Sequence, residues 1–177
     1  MNSPDPGAEL FEIFDDHGFL CGTMPRNLVH RSGCWHRSAD VWLFRDDGAV
    51  LLQRRGSDKD LFAGCWDYSV GEHLRPGESF LAGAIRGLEE ELGLTGVSLA
   101  PVGGLRRVVS EVPESGIHDR ELSRTFRACI DETVDPDGVE VDRVMWLQPD
   151  ELRRWMLQEP AAFTPWFITA VKQLGLP

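Results

Sequence analysis

The sequence predicts an α/β fold, a mixed β-sheet sandwiched between helices, and three observations carry that expectation. Strand-like runs flank one amphipathic helix in mid-chain, two further helices close the chain, and no internal repeat or low-complexity linker interrupts the pattern. With 177 residues the chain is long enough for one domain with a substantial core and too short for two comfortable ones. That domain is placed at residues 8–177, behind a frayed tail over residues 1–7.

In chain order, residues 10–14 and 19–23 flank Asp15-Asp16-His17-Gly18 and read as an edge hairpin. Residues 41–45 and 49–55 flank Asp46-Asp47-Gly48 as a second hairpin, and the unbroken apolar run Val50, Leu51, Leu52 marks a central strand. A short strand follows over residues 66–70. The mid-chain helix starts near Ser79, which suits an N-terminal cap, and stops before Gly93, which suits a left-handed C-terminal cap. Further strands fall near residues 97–109, 122–130 and 143–147. Pro149 and Pro165 open the closing helices, over residues 149–157 and 165–174, at the position where a missing N–H costs nothing.

Composition narrows the function. A formal charge of −11 disfavours a nucleic-acid groove, so a phosphate-bearing ligand must be held by metal ions and a few placed arginines. The expected partner is a small-molecule diphosphate, with no nucleic acid and no membrane. No apolar run reaches membrane-spanning length and the N-terminus lacks a basic and apolar signal segment, so a cytoplasmic location is the default expectation. Cys21, Cys34, Cys65 and Cys129 are scattered with no CxxC pair, which reads as reduced, buried thiols. Gly103-Gly104 reads as a bulge, Arg106 and Arg107 fall on opposite sheet faces, and Asp135-Pro136-Asp137-Gly138 reads as a turn.

The chemistry concentrates in residues 71–94, GEHLRPGESFLAGAIRGLEEELGL. At 100° per residue, Leu81, Ala84, Ile85, Leu88 and Leu92 gather on one side of the helix, and Gly83, Gly87, Glu90 and Glu91 on another. Adjacent carboxylates on a glycine-lined face repel unless a cation lies between them, and the glycines leave room for one. Arg86, one turn before Glu90, is placed to orient it.

This spacing resembles the Nudix box, G-x5-E-x7-R-E-U-x-E-E-x-G-U with U a bulky aliphatic residue. Glu78, Arg86, Leu88, Glu90, Glu91, Gly93 and Leu94 match it. Two positions depart: the opening glycine falls on Glu72, with Gly71 just before it, and the Glu after the Arg is Gly87. The second departure removes a residue that serves many Nudix hydrolases as metal ligand or base. The resemblance implies a Nudix fold, and Mg²⁺ or Mn²⁺ held by Glu90 and Glu91 with Glu78.

Outside the box, HRSGCWHRSADVWLF and GAVLLQRRGSDKDLFAGCWDYSVGEHLRPGES resemble the Nudix branch related to type I isopentenyl diphosphate isomerase. By that resemblance His30, His36, His73, Asp119 and Glu121 form a second metal site, for which mixed nitrogen and carboxylate ligands favour Mn²⁺ or Zn²⁺. Arg55 and Lys59 match diphosphate contacts, and Glu121 matches a catalytic glutamate. The isomerase's catalytic cysteine, however, falls on Gly71, and isomerisation needs an acid and a base on opposite faces of an alkene. The reading is therefore a metal-dependent hydrolase of a small organic or nucleoside diphosphate, with Glu90, Glu91, Glu121 and Arg86 in the catalytic group. Arg55, Lys59 and Trp66 would contact substrate, and Glu121 is favoured as base over Glu72 and Glu111. The alternatives are an isomerase-like enzyme with displaced groups and a catalytically silent binder of metal and diphosphate.

Overall fold

The computed structural model describes residues 9–59 and 61–176; the tail expected over residues 1–7 lies outside them. Strands β1 (Leu10–Phe14) and β2 (Leu20–Pro25) form the expected edge hairpin. They lead into a helix that the sequence reading did not contain, α1 (Arg26–Ser32). It is a single short helix with no side-chain N-cap hydrogen bond, ending at Gly33 in the left-handed region.

Strand β3 (Trp35–Phe44) is the spine of the sheet, running parallel to β8 (Ile117–Cys129) along its whole length and antiparallel to β6 (Val70–His73). β7 (Ala100–Val112) pairs with the far edge of β8, with a bulge between Val102 and Arg106 that takes up Gly103-Gly104. The hairpin from β3 to β4 (Val50–Arg55) closes at Phe44 and Val50 and then splays: β4 continues against β9 (Val141–Leu147) and the two-residue β5 (Trp66–Asp67). Ser69 sits in the split. Its hydroxyl accepts from Leu43 N–H at 2.8 Å and donates to Leu51 C=O at 2.7 Å, satisfying backbone groups that the diverging strands leave open. The single strand expected over residues 66–70 is therefore two strands, β5 and β6, broken at this point.

Helix α2 (Phe80–Leu92) covers one face of this sheet, and α3 (Pro149–Gln158) with α4 (Pro165–Leu174) covers the other. Alternation along β3 divides the core: Ala39, Val41 and Leu43 pack with Ala84, Leu88 and Leu92 of α2, whereas Trp42 packs with Leu152 and Phe167 of the terminal helices. This is the predicted α/β/α sandwich. No helix among the described residues is long and apolar enough to cross a membrane.

The caps of α2 are as read from sequence: Ser79 Oγ accepts from Ala82 N–H at 3.2 Å, and Gly93 adopts φ +66°. Ser79→Ala should cost about 1 kcal/mol, read as a small fall in melting temperature. Its faces are rotated from the expected split. Gly83, Gly87 and Glu91 are buried together with Ala84, Leu88 and Leu92, while Leu81 and Ile85 are largely exposed. The glycines do not line an open groove; they let the helix sit close on β6 and the loop after it, where a Cβ at Gly83 would lie 3.1 Å from Leu74 Cδ1. The four cysteines are free thiols, and none is buried: Cys21 and Cys129 are exposed and Cys34 and Cys65 are half-buried.

Candidate active site

The same alternation assembles two groups of polar side chains on opposite faces of β3 and β6. On the face away from α2, β3 contributes His36 and Ser38, β6 contributes His73, and β8 contributes Asp119 and Glu121, while His30 comes in from the end of α1. His36 lies beside Glu121 in the parallel register, and Ser38 lies between Ser123 and His73. The three imidazole centroids are 5.1–5.5 Å apart, with Phe11 stacked on His36 at 5.3 Å. His36 Nε2 is 3.5 Å from Asp119 Oδ1, and His30 Nε2 is 3.9 Å from the same oxygen. His73 Nε2 is 3.1 Å from Glu121 Oε1, and Ser38 Oγ donates to Glu121 Oε2 at 3.0 Å.

The electrostatics of this cluster suit a cation. Burial, reinforced by the neighbouring His73, depresses His36 to a pKa of about 3, and burial holds His73 well below the imidazole range, so both rings are neutral donors at neutral pH. Burial and then Glu121 push Asp119 up to about 8. His36 Nε2 and Asp119 Oδ1 are buried with no hydrogen-bond partner among the described residues. Potential ligand atoms of His30, His36 and His73, and of His36, Asp119 and Glu121, fall within 4.8 Å of one another in each group. Nitrogen and carboxylate atoms converging at this spacing, with His36 Nε2 and Asp119 Oδ1 lacking hydrogen-bond partners, fit a divalent metal ion.

On the α2 face, Arg86 is the hub. It donates to Glu78 through Nε at 3.0 Å and Nη2 at 2.8 Å, to Glu90 through Nη1 at 3.1 Å, and to His73 C=O at 2.9 Å, and its Nη1 is 2.8 Å from Glu72 Oε2. Glu78 also accepts from Arg75 N–H at 2.9 Å, and the Arg86 hydrogen bonds hold its carboxyl below the usual range. Glu90, expected beside Glu91 at a shared cation, is instead half exposed and tied to Arg75 and Arg86. Glu91 points inward and is 4% exposed, with Oε1 lacking a hydrogen-bond partner. Burial, with Glu72 as the leading charge, raises its pKa well above the carboxylate range.

The two groups meet at a small cleft along the β6 edge, lined by Arg26, Arg55, Glu72, His73, Glu121 and Trp166 among others. Arg55 donates to Leu61 C=O at 3.0 and 3.2 Å, lies 3.7 Å from Asp67, and stacks over Trp166 with its guanidinium carbon 5.2 Å from the ring. Lys59 is turned to Glu140. Trp66, expected against substrate, is buried in the core between Trp155 and Arg143; Tyr68 and Trp166 line the cleft instead, and the Trp166 indole N–H donates to Asp67 at 2.6 Å. Asp67 was missed, and Trp66 was favoured over Trp166, because α4 returns to β5 from the far end of the chain. Arg26 was missed with α1, and Ser38 could have been found from its alternation with His36. Arg106 turns inward to the buried Asp40, whereas Arg107 lies over Trp35 outside the cleft.

Comparison with known proteins agrees with this architecture. The NUDIX domain model matches residues 35–167, so the chain belongs to the Nudix family. Among its curated relatives are the isopentenyl-diphosphate Delta-isomerase of Nocardia farcinica, 36% identical over 88% of each chain, and that of Burkholderia multivorans, 33% identical over 88% of this chain and 87% of the other. The fold is shared with a Deinococcus radiodurans protein, at TM-score 0.68 and 19% identity over 85% of this chain and 90% of that one. It is shared also with a MutT protein of Methanosarcina mazei Go1, at TM-score 0.62 and 21% identity over 80% and 93%.

Proposed function

We propose that this chain is a divalent-metal-dependent hydrolase of a small organic or nucleoside diphosphate. The observation that favours hydrolysis over isomerisation is at Gly71. The thiol of the isomerase pattern is absent there, and its space is taken: a Cβ on Gly71 would lie 2.7 Å from Tyr68 Cε2. Without a thiol the acid and base pair that alkene isomerisation needs is incomplete. Hydrolysis makes no such demand, because metal-holding carboxylates and placed cations suffice.

In this reading Arg55 and Arg26 bind the diphosphate at the cleft mouth, and Trp166 packs against its organic group. Glu91 holds Mg²⁺ or Mn²⁺ from the α2 side, and His30, His36, His73, Asp119 and Glu121 hold a second ion, Mn²⁺ or Zn²⁺. A bound divalent ion neutralises phosphate charge and lowers the pKa of water. Glu121, oriented by Ser38 and His73, accepts the proton from attacking water. Arg86 fixes Glu78 and Glu72 and shapes the wall without touching substrate. The small cleft and acidic surface suit a small diphosphate over a polymer.

An isomerase-like reading is favoured by the names of the curated relatives and by one contact. Tyr68 Oη lies 3.4 Å from the place a Gly71 Cβ would occupy, so a phenol stands near the missing thiol, in the same cleft as Glu121. One experiment separates the readings. Purified protein with Mg²⁺ or Mn²⁺ is incubated in D₂O with nucleoside diphosphates, nucleotide sugars and isoprenoid diphosphates, and products are read by mass. Release of phosphate or a monophosphate is the expected result. Deuterium entering an intact isoprenoid diphosphate would replace the hydrolase with the isomerase, and an unchanged panel would leave a binder.

A further inference from the structure

The two departures from the box pattern, Glu where a glycine is expected and glycine where a Glu is expected, face each other in space. A Cβ on Gly87 would lie 2.7 Å from Val70 Cγ1, 3.1 Å from Glu72 Cβ and 3.5 Å from Glu72 Cγ. The gap between α2 and β6 admits one side chain, and here it grows from the strand. Separations below about 3 Å to a packed valine leave no room for a second.

We propose that Glu72 supplies from β6 the carboxylate that α2 lacks at Gly87, and that Glu72 and Glu91 together bind the divalent cation facing the diphosphate. Three observations support this. Arg86, the immediate neighbour of Gly87, reaches across to Glu72 Oε2 at 2.8 Å and fixes the strand-borne carboxylate. Glu91, one turn after Gly87 on the same buried face of α2, presents a buried oxygen with no hydrogen-bond partner among the described residues. The local charge is also under-compensated: Arg86 pairs with Glu72, Glu78 and Glu90, and Arg75 with Glu90, and neither arginine pairs with Glu91. A cation between Glu72 and Glu91 would satisfy the orphaned oxygen and relieve the repulsion. Glu72 lines the cleft wall whereas Glu91 lies behind it, which puts such an ion between the core and the substrate opening.

The assignment rests on the reading of the cleft as a diphosphate site, but its test needs no turnover. The histidine cluster is filled with one equivalent of Zn²⁺, and Mn²⁺ is titrated by electron paramagnetic resonance. Loss of even an outer-sphere partner costs a metal site roughly 10- to 100-fold in affinity. Glu72→Gln and Glu72→Gly should therefore each weaken Mn²⁺ by at least about tenfold relative to wild type. Gly87→Glu alone should bind no better than wild type and melt lower, because its Cβ would meet Val70 and its carboxylate would compete with that of Glu72. The double exchange, Glu72→Gly with Gly87→Glu, made together with Val70→Ala to clear the 2.7 Å contact, should recover Mn²⁺ affinity. The proposal is overturned if folded Glu72→Gln binds Mn²⁺ as wild type does, or if the folded double exchange stays as weak as Glu72→Gly. Should Mn²⁺ follow the exchange while no diphosphate is cleaved, the ligand assignment stands and the hydrolase reading falls. Turnover that needs Glu91 but ignores Glu72 would do the reverse.

Discussion

Glu91→Gln should remove diphosphate turnover, by on the order of 10³-fold in kcat, while leaving the protein folded. The side chain is buried with one unpaired oxygen, so its carboxylate contributes nothing to packing that an amide of equal size would lack. Its charge is what a metal-bound diphosphate needs. Metal stabilisation of transition-state charge is worth several kcal/mol, and each ~1.4 kcal/mol is tenfold in rate. The same burial makes a stability prediction with a definite sign. A carboxyl whose native pKa is raised contributes stability that is fully present below its unfolded value and is lost as pH rises toward the native one. Glutamine does not titrate. The metal-free variant should therefore match wild type near pH 4 and melt progressively higher than wild type as pH rises. Phosphate release with Mg²⁺, and melting curves at pH 4, 6 and 8, check both halves. Equal phosphate release from variant and wild type would remove Glu91 from the catalytic group.

The helix that carries Glu91 was legible because Ser79 and Gly93 mark its ends by local chemistry. The fold class was legible for the same kind of reason: turns at Asp46-Asp47-Gly48 and prolines at Pro149 and Pro165 punctuate the elements. What sequence spacing did not give was which side of α2 meets the sheet. Glu90 and Glu91 are adjacent in sequence but about 100° apart around the helix axis, so one turns to Arg75 and solvent while the other enters the core. Adjacency along the chain is not adjacency in space on a helix. Glu72 and Gly87 are the converse, two separate departures in the sequence that packing of α2 on β6 makes into one site. His30 was grouped with His36 and His73 only through the order of histidines along the chain, and the fold brings the three rings together. The α1 helix that aims it has no capping hydrogen bond from a side chain, and its one local mark is Gly33 at its end.

The second large effect concerns the histidine cluster. Zn²⁺ or Mn²⁺ at about 100 times its dissociation constant should stabilise the protein by about 2.7 kcal/mol, which for a domain of this size is a rise of roughly 5–11 °C in melting temperature. His36→Ala should abolish the rise at the same metal concentration, since His36 Nε2 faces both Asp119 and the other imidazoles from a fully buried position. The pH dependence follows from the groups that must give up protons. His36, depressed to about 3, and His73, held well below its usual range, are already neutral near pH 7 and release none. Asp119, raised to about 8, must lose one before it can bind metal. Affinity should thus climb about tenfold per pH unit between pH 6 and 8, with one proton released per ion, and then level off. Metal-free stability has two limits of opposite sign. The contribution of neutral His36 is lost as pH falls from 6.5 toward 3, and that of protonated Asp119 is lost as pH rises from 3.8 toward 8. Metal binding reverses the second loss, so the thermal shift should be larger at pH 8 than at pH 6. Calorimetric titration in buffers of different ionisation enthalpy counts the protons directly. A release of two or more would mean that the imidazoles enter protonated, and a pH-independent affinity with an intact thermal shift would remove Asp119 from the ligand set.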